Sequence, residues 1–186
     1  MSSLDPMKRH LDRGFKSRAI KPTACIETYK DAIFYIEDVE KDRCRARLQE
    51  EVADFDKVFE VNNPNKKDIA LFAVDGCFIK HKPEHCDFIC FDEATFCFGE
   101  MKFESETRSY LQIDENRNKA VKQLKSTIQI FIDALKNDFL DYGIEAYVCT
   151  PPHYPNKGTA LDAFVLELIE DLGGINLYEK NEKTFL

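Results

Sequence analysis

Two apolar runs joined by a three-residue connection constrain this chain more than any other feature of its sequence. Cys86-Asp87-Phe88-Ile89-Cys90-Phe91 and Thr95-Phe96-Cys97-Phe98-Gly99-Glu100-Met101-Lys102-Phe103 are separated by only Asp92-Glu93-Ala94. Short apolar runs bounded by such turn-forming residues read as the two strands of an antiparallel hairpin. Side chains alternate along a strand, so Glu100 and Lys102 share a face with Phe96, Phe98 and Glu104, while Cys97, Met101 and Phe103 take the other. Closing the turn over Asp92–Thr95 sets Asp87 opposite Glu100. An acid and a base therefore emerge together from an apolar strand, with a second acid beside them. Burying such charges costs several kcal/mol unless they are paired or bind an ion.

Two carboxylates brought together repel, and each raises the other's pKa. A hard cation such as Mg²⁺ or Mn²⁺ relieves that repulsion, and Mg²⁺ characteristically takes one or two carboxylates with water and phosphate oxygens completing its shell. Asp87, Glu100 and the backbone carbonyl of Met101 are the candidate ligands. Lys102 then stands where an ammonium, or its neutral form, orients or deprotonates a water. This donor set suits metal-assisted hydrolysis of a phosphodiester.

The rest of the chain supplies the surroundings. A length of 186 residues argues for one domain. Residues 1–22 are basic, with Lys8, Arg9, Arg13, Lys16, Arg18 and Lys21 against Asp5 and Asp12, and read as a flexible or weakly helical arm that contacts phosphates or stays in solvent. Residues 23–186 form the domain. Ile26, Ile33, Ile36 and Val39 recur at spacings that predict a helix within residues 23–54, with Thr23 able to cap it. Strands are expected at 58–61, before the turn Asn62-Asn63-Pro64-Asn65, and at 69–74, continuing through 77–80. Residues 118–136 place Ala120, Leu124, Ile128, Phe131 and Leu135 on one helical face. A strand at 145–150 ends at Pro151-Pro152. A last helix covers 159–172, with Thr159 and Asp162 as an acidic capping box and Gly173 at its C-cap.

Asp87 followed by Glu100-Met101-Lys102 on a hairpin resembles the D…(D/E)xK signature of the PD-(D/E)XK superfamily, the restriction-endonuclease-like nucleases. The order helix, three strands, helix, strand is similar to that superfamily's αβββαβ core, and Ala120-Val121-Lys122-Gln123-Leu124-Lys125-Ser126-Thr127-Ile128 resembles the "A…QL…TI" helix that often follows the ExK strand. The resemblance extends over roughly residues 24–172. It implies an α/β fold with a mixed central sheet flanked by helices, and a Mg²⁺- or Mn²⁺-dependent nuclease acting on nucleic acid, with DNA ahead of RNA as the substrate. It also implies catalytic roles for Asp87, Glu100, Lys102 and Gln123, with Lys119 beside Gln123 at the edge of the site. A role in bacterial defence or a mobile element is consistent with it. Cys86 stands where the signature has Pro. Many members add a Glu from the first helix as a ligand; Glu27, Glu37, Glu40, Glu50 and Glu51 compete here, with Glu50 or Glu51 favoured as nearest the first strand.

Charge tempers this picture. The chain carries a net −8, whereas binding to nucleic acid is driven by basic surface. Lys119, Lys122 and Lys125 form a basic set that could steer a phosphate backbone, or simply an ordinary solvated helix face, and Tyr147 and Tyr154 could stack on bases or pack inside. A homodimer or a protein partner would supply the recognition surface a small acidic chain lacks. The alternative functions are a catalytically silent nucleic-acid-binding module and a protein-assembly module on the same fold. No P-loop or dinucleotide motif occurs, so no nucleotide cofactor is expected. No apolar run is long enough for a membrane span, and the basic N-terminal segment has no apolar core of a secretory signal. Seven cysteines, odd in number and without a CxxC pair, read as core thiols of a reducing, cytoplasmic protein. His81, His85, Cys86 and Cys90 match no common zinc spacing and read as turn and core residues.

Overall fold

The computed structural model describes residues 2–39, 43–80, 84–103, 109–136, 139, 141–154 and 175–186. Among these the chain is a mixed α/β structure of two helices and ten strands in two mixed sheets. Helix α1 (Asp5–Gly14) precedes β1 (Ile26–Tyr29), β2 (Ile33–Glu37), β3 (Arg45–Arg47), β4 (Val58–Asn62), β5 (Ile69–Ala73), β6 (Phe88–Phe91) and β7 (Thr95–Met101). Then follow α2 (Tyr110–Leu135), β8 (Gly143–Cys149), β9 (Asn176–Glu179) and β10 (Glu182–Thr184). The larger sheet runs β1-β5-β6-β7-β8-β9 and the smaller β10-β4-β2-β3.

Three layers result: the two helices, the larger sheet and the smaller sheet. One core lies between the helices and the larger sheet, built from Leu11, Phe72, Ile89, Phe98, Leu124 and Phe131 among others. A second lies between the sheets, around Phe34, Phe59, Leu71, Phe88, Cys90 and Tyr147. Burial on both faces accounts for the unbroken apolar composition of β5 and β6, whose residues are all buried. The hairpin has the expected register, Phe88 opposite Gly99 and Phe91 opposite Phe96. Asp87 extends it, its amide donating to the Gly99 carbonyl at 3.1 Å. Gly99 is obligatory for space: a Cβ there would come within 2.1 Å of the Phe88 ring. β7 and β8 are parallel, joined through α2.

Three expectations are corrected. Residues 1–22 are not a free arm. Leu4, Met7, Leu11 and Phe15, all buried, lie on one stripe at spacings of three, four and four and dock α1 into the helix-side core. Asp68 holds the start of the chain, accepting from Ser2 Oγ at 2.8 Å and the Ser3 amide at 3.2 Å. Second, the described part of 23–54 is strands and 3₁₀ turns. Apart from Glu27, Ile26-Glu27-Thr28-Tyr29 and Ile33-Phe34-Tyr35-Ile36 are β-branched and aromatic, and their fit to sheet pairing outweighs the helical spacing of the isoleucines. Thr23 caps no helix; its amide and hydroxyl donate to the Asp12 carboxylate of α1. Third, Cys77–Lys80 does not continue β5. Residues 75–79 form a turn in which Gly76 takes φ 70°.

The 145–150 strand and the 118–136 helix are present as β8 and α2, the helix beginning earlier, at Tyr110. β9 and β10 add to the expected elements. The helix at 159–172, with Thr159, Asp162 and Gly173, lies outside the described residues, as do His81, Glu104 and Glu40. No helix among the described residues is long and apolar enough to cross a membrane.

Candidate active site

The alternation read from β7 is the one observed. Phe96 and Phe98 enter the helix-side core, whereas Cys97 and Met101, with Phe103 just beyond the strand, enter the core between the sheets. Glu100 and Lys102 continue the Phe96–Phe98 face where the sheet ends. Above them the apolar stripe of α2 gives way to Gln112, Asn116, Lys119 and Gln123, spaced by four, three and four on one polar face.

These groups line a cavity of about 760 Å³. One wall is α2. The opposite wall comes from the smaller-sheet side, with Glu37 and Asp38 at the end of β2 and Asp54 and Lys57 before β4. Asp75, Asp87, Glu100, Met101, Lys102 and Phe103 form the rest. Six of the lining residues are carboxylates and three are lysines, a balance that favours a bound cation over an anion alone.

Asp87 and Glu100 are nearly sealed from solvent, at 8% and 1% exposure. Burial pushes the Asp87 carboxyl up from 3.8 to about 7, against the opposing pull of the Met101 amide and the Lys102 ammonium. Glu100 is raised well above the ordinary carboxylate range, first by burial and then by the charge of Asp87. Asp38 raises both further. Asp87 Oδ2 accepts from the Met101 amide at 2.5 Å. Lys102 Nζ pairs with Glu100 Oε1 and donates to Gln123 Oε1 at 3.0 Å. Gln123 Nε2 in turn donates to the His85 carbonyl at 3.0 Å. The second oxygen of Glu100, Oε2, is buried and has no hydrogen-bond partner among the described residues.

A divalent cation fits this arrangement. It would neutralise two adjacent buried carboxylates and use the orphaned Glu100 oxygen, an atom that otherwise costs its full desolvation. Among the described residues no group of three His, Cys, Asp or Glu side chains is placed to hold a metal ion; Asp87 and Glu100 alone supply the one or two carboxylates that Mg²⁺ characteristically takes.

The structure thus brings Asp87, Glu100, Met101, Lys102 and Gln123 together as expected. Of the basic set only Lys119 lines the cavity. Lys122 is exposed and Lys125 half-buried on α2, and neither reaches it. The preference for Glu50 or Glu51 is corrected. Both lie in an exposed 3₁₀ turn and neither lines the cavity, and Glu51 accepts from the Leu48 amide. Glu27 is bound to Arg43 on β1. Glu37 and its neighbour Asp38 are the acids that arrive instead, because the chain there is strand β2 rather than a helix. Asp75 was also missed; it lies 12 residues before Asp87, and only the return of β5 beside β6 brings it in. The stripe of Gln112, Asn116, Lys119 and Gln123 carried a readable helical signal.

Tyr147 and Tyr154 serve packing. Tyr147 is buried against Phe59 and Tyr178, and Tyr154 accepts from Asn116 Nδ2 at 3.1 Å beneath the Arg117 guanidinium. Cys86 and Cys90 enter different cores. The reading of all seven cysteines as thiols is corrected: Cys25 and Cys77 form a disulfide with a Cα–Cα distance of 5.8 Å, and Cys44, Cys86, Cys90, Cys97 and Cys149 are free and buried. Family models, curated proteins and solved structures give no match to this chain.

Proposed function

We propose that the protein is a Mg²⁺- or Mn²⁺-dependent nuclease of the PD-(D/E)XK type that hydrolyses phosphodiester bonds in DNA. The observation that carries this reading is the buried, unpartnered Glu100 oxygen on the same cavity wall as Asp87 and Lys102. A cation would stabilise that group of atoms, giving the free oxygen a partner and neutralising the neighbouring carboxylates. The order α1, the antiparallel meander β5–β6–β7, α2, and β8 parallel to β7 supports the αβββαβ core, with α1 in the place first given to residues 23–54.

Asp87 and Glu100 would hold the metal, together with the Met101 carbonyl. When bound, it supplies Lewis-acid stabilisation of phosphoryl charge and a nucleophile at neutral pH. Lys102, fixed between Glu100 and Gln123, places its ammonium against the attacking water and the developing negative charge. Gln123 holds Lys102 through a side chain that is itself anchored to the His85 carbonyl. Lys119 meets the substrate backbone at the rim. A dimeric or partner-assisted assembly and a cytoplasmic setting belong to the same proposal.

The test is degradation of plasmid DNA by the wild type with Mg²⁺ or Mn²⁺ and with EDTA, beside Glu100→Ala and Lys102→Ala. Cutting that requires the metal and is lost in both variants supports the nuclease. DNA shifted in a gel without cutting establishes a binding module in its place. Neither cutting nor binding leaves an assembly role, the reading that the net charge of −8 favours.

A further inference from the structure

The Cys25–Cys77 bond lies outside the polar groups of the cavity but is connected to them. Cys77 sits in the turn after β5 that carries Asp75, a cavity-lining residue. The same turn reaches Asp87 directly: the amides of Val74 and Asp75 both donate to the Asp87 carbonyl, at 3.0 and 3.1 Å. Asp75 Oδ1 also lies 2.9 Å from His85 Nε2. Cys25 ends the 3₁₀ turn before β1 and is 1% exposed. The disulfide therefore clamps the excursion between β5 and β6 to the start of β1, and the clamped segment holds the backbone of a proposed metal ligand.

The two sulfurs differ in access. Cys77 is half-buried at the surface, while Cys25 and all five free cysteines are buried. The Arg43 guanidinium, shared with Glu27 at 2.8 Å, lies 3.7 Å from Cys77 Sγ. A positive group beside an accessible sulfur attracts an incoming thiolate and stabilises a departing one.

We propose that Cys77 is a thiol–disulfide exchange site for a low-molecular-weight thiol, and that opening its bond to Cys25 loosens the Asp75 turn and weakens the candidate site. The coupling to activity rests on the nuclease reading; the exchange does not. In the exchange a thiolate RS⁻ attacks Cys77 Sγ, the Cys77–Cys25 bond breaks, and Cys25 leaves as a thiolate that takes a proton from solvent. A second RS⁻ attacks the R-group sulfur of the mixed disulfide, releasing RSSR and the Cys77 thiolate. Two electrons pass from two thiols to the protein, and RSSR is the oxidant for the return. Such a bond also reconciles five reduced core thiols with one disulfide in a single chain.

The experiment equilibrates the folded wild type with 2-mercaptoethanol and its disulfide, then alkylates with iodoacetamide without denaturant and maps the label. The result expected is label at Cys77 at least about tenfold faster than at any of the five core cysteines, and slower exchange in Arg43→Ala. Hydrogen exchange on the same samples should show protection at the Val74 and Asp75 amides falling about tenfold on reduction, with the β6–β7 amides unchanged. The affinity for Mn²⁺ should fall about threefold or more. Cys25→Ser/Cys77→Ser should show the loosened exchange pattern in every redox buffer and no response to thiol. Uniform labelling of all cysteines, or unchanged protection at Val74 and Asp75 after reduction, overturns the proposal. Selective labelling and loosening in a protein that neither binds Mn²⁺ nor cuts DNA would uphold the exchange site and remove the nuclease reading.

Discussion

Among the described residues, two ion pairs that join a charged side chain to a carboxylate at a strand end are built differently. Arg117 on α2, 5% exposed, donates from Nε to Glu179 Oε1 at 2.7 Å at the end of β9. The same carboxylate accepts from Thr150 Oγ1 at 3.2 Å, and the guanidinium lies over the Tyr154 ring and near Asp114. In the other pair, Lys102 with Glu100, the carboxylate is the more deeply placed partner, yet Glu100 keeps one buried oxygen without a hydrogen bond and has Asp87 as a repelling neighbour. The first pair is closed on itself, as a buried pair must be if it is to offset its desolvation. The second is left incomplete beside a cavity, where the proposed cation would complete it.

The largest expected effects separate the two pairs by kind of damage. Lys102→Ala should lower the rate of metal-dependent DNA cleavage about 10³-fold, and Glu100→Gln should do at least as much while leaving the melting temperature equal to or above that of the wild type. Glu100→Gln removes a buried carboxyl that has Asp87 as a repelling neighbour and one unsatisfied oxygen, so its replacement should cost the metal-free protein little folding energy. Arg117→Met should do the reverse. It strands Glu179 and should cost about 3 kcal/mol, a melting shift of about 6 to 12 °C, with the cleavage rate per folded molecule within about twofold of wild type. Thermal melts and single-turnover assays on the three variants decide. A Glu100→Gln protein as unstable as Arg117→Met would make the Lys102 pair structural and erase the contrast.

The incomplete pair was legible in the sequence because its geometry is local. Two apolar runs and a three-residue connection fix a register, and alternation then fixes which side Glu100, Lys102 and Asp87 share. The closed pair was not legible. Arg117 and Glu179 are 62 residues apart, and β9 had no pattern strong enough to be read as a strand from Asn176-Leu177-Tyr178-Glu179. Distance in sequence also hid Asp38 and Asp75, which enter the cavity only through the pairing of β2 in one sheet and β5 in the other. Elsewhere composition masked pattern. Charges around Leu4, Met7, Leu11 and Phe15 concealed an apolar stripe that four buried side chains complete, and isoleucines at helical spacing outweighed β-branched and aromatic neighbours that pointed to strands.

Acidity offers a gentler way to probe the same contrast. In the cation-free protein Asp87 holds its proton up to about pH 7, whereas in the unfolded chain it loses it near 3.8. Between those values the native state binds more protons than the unfolded one, so stability is greatest below the unfolded pKa and is lost as pH rises through about 7. Glu100 acts in the same direction. Metal-free melts should therefore be higher at pH 5.5 than at pH 8, and Mn²⁺ should raise the melting temperature more at pH 8, where fewer protons compete with it for the two carboxylates. Asp87→Asn/Glu100→Gln should flatten both responses. A metal-free melting temperature that climbs from pH 5.5 to 8 would show that these carboxylates do not carry the linkage.

The smallest effect expected belongs to the helix that serves both pairs. α2 carries Arg117 for the closed pair and Gln123 for the open one, with Lys119 between them on the cavity wall and Lys122 turned to solvent. If the cavity admits a phosphate backbone, Lys119 meets it and Lys122 does not. Lys119→Ala should raise KM for DNA about three- to tenfold and reduce the steepness of its salt dependence by about one counterion, while Lys122→Ala should change KM by less than about twofold. Both substitutions remove one positive charge from one helix, so a general effect of net charge would move them equally. Equal shifts in the two variants would mean that substrate senses the outer face of α2 as strongly as the cavity, and that the incomplete pair, however reactive, is not where the backbone is gripped.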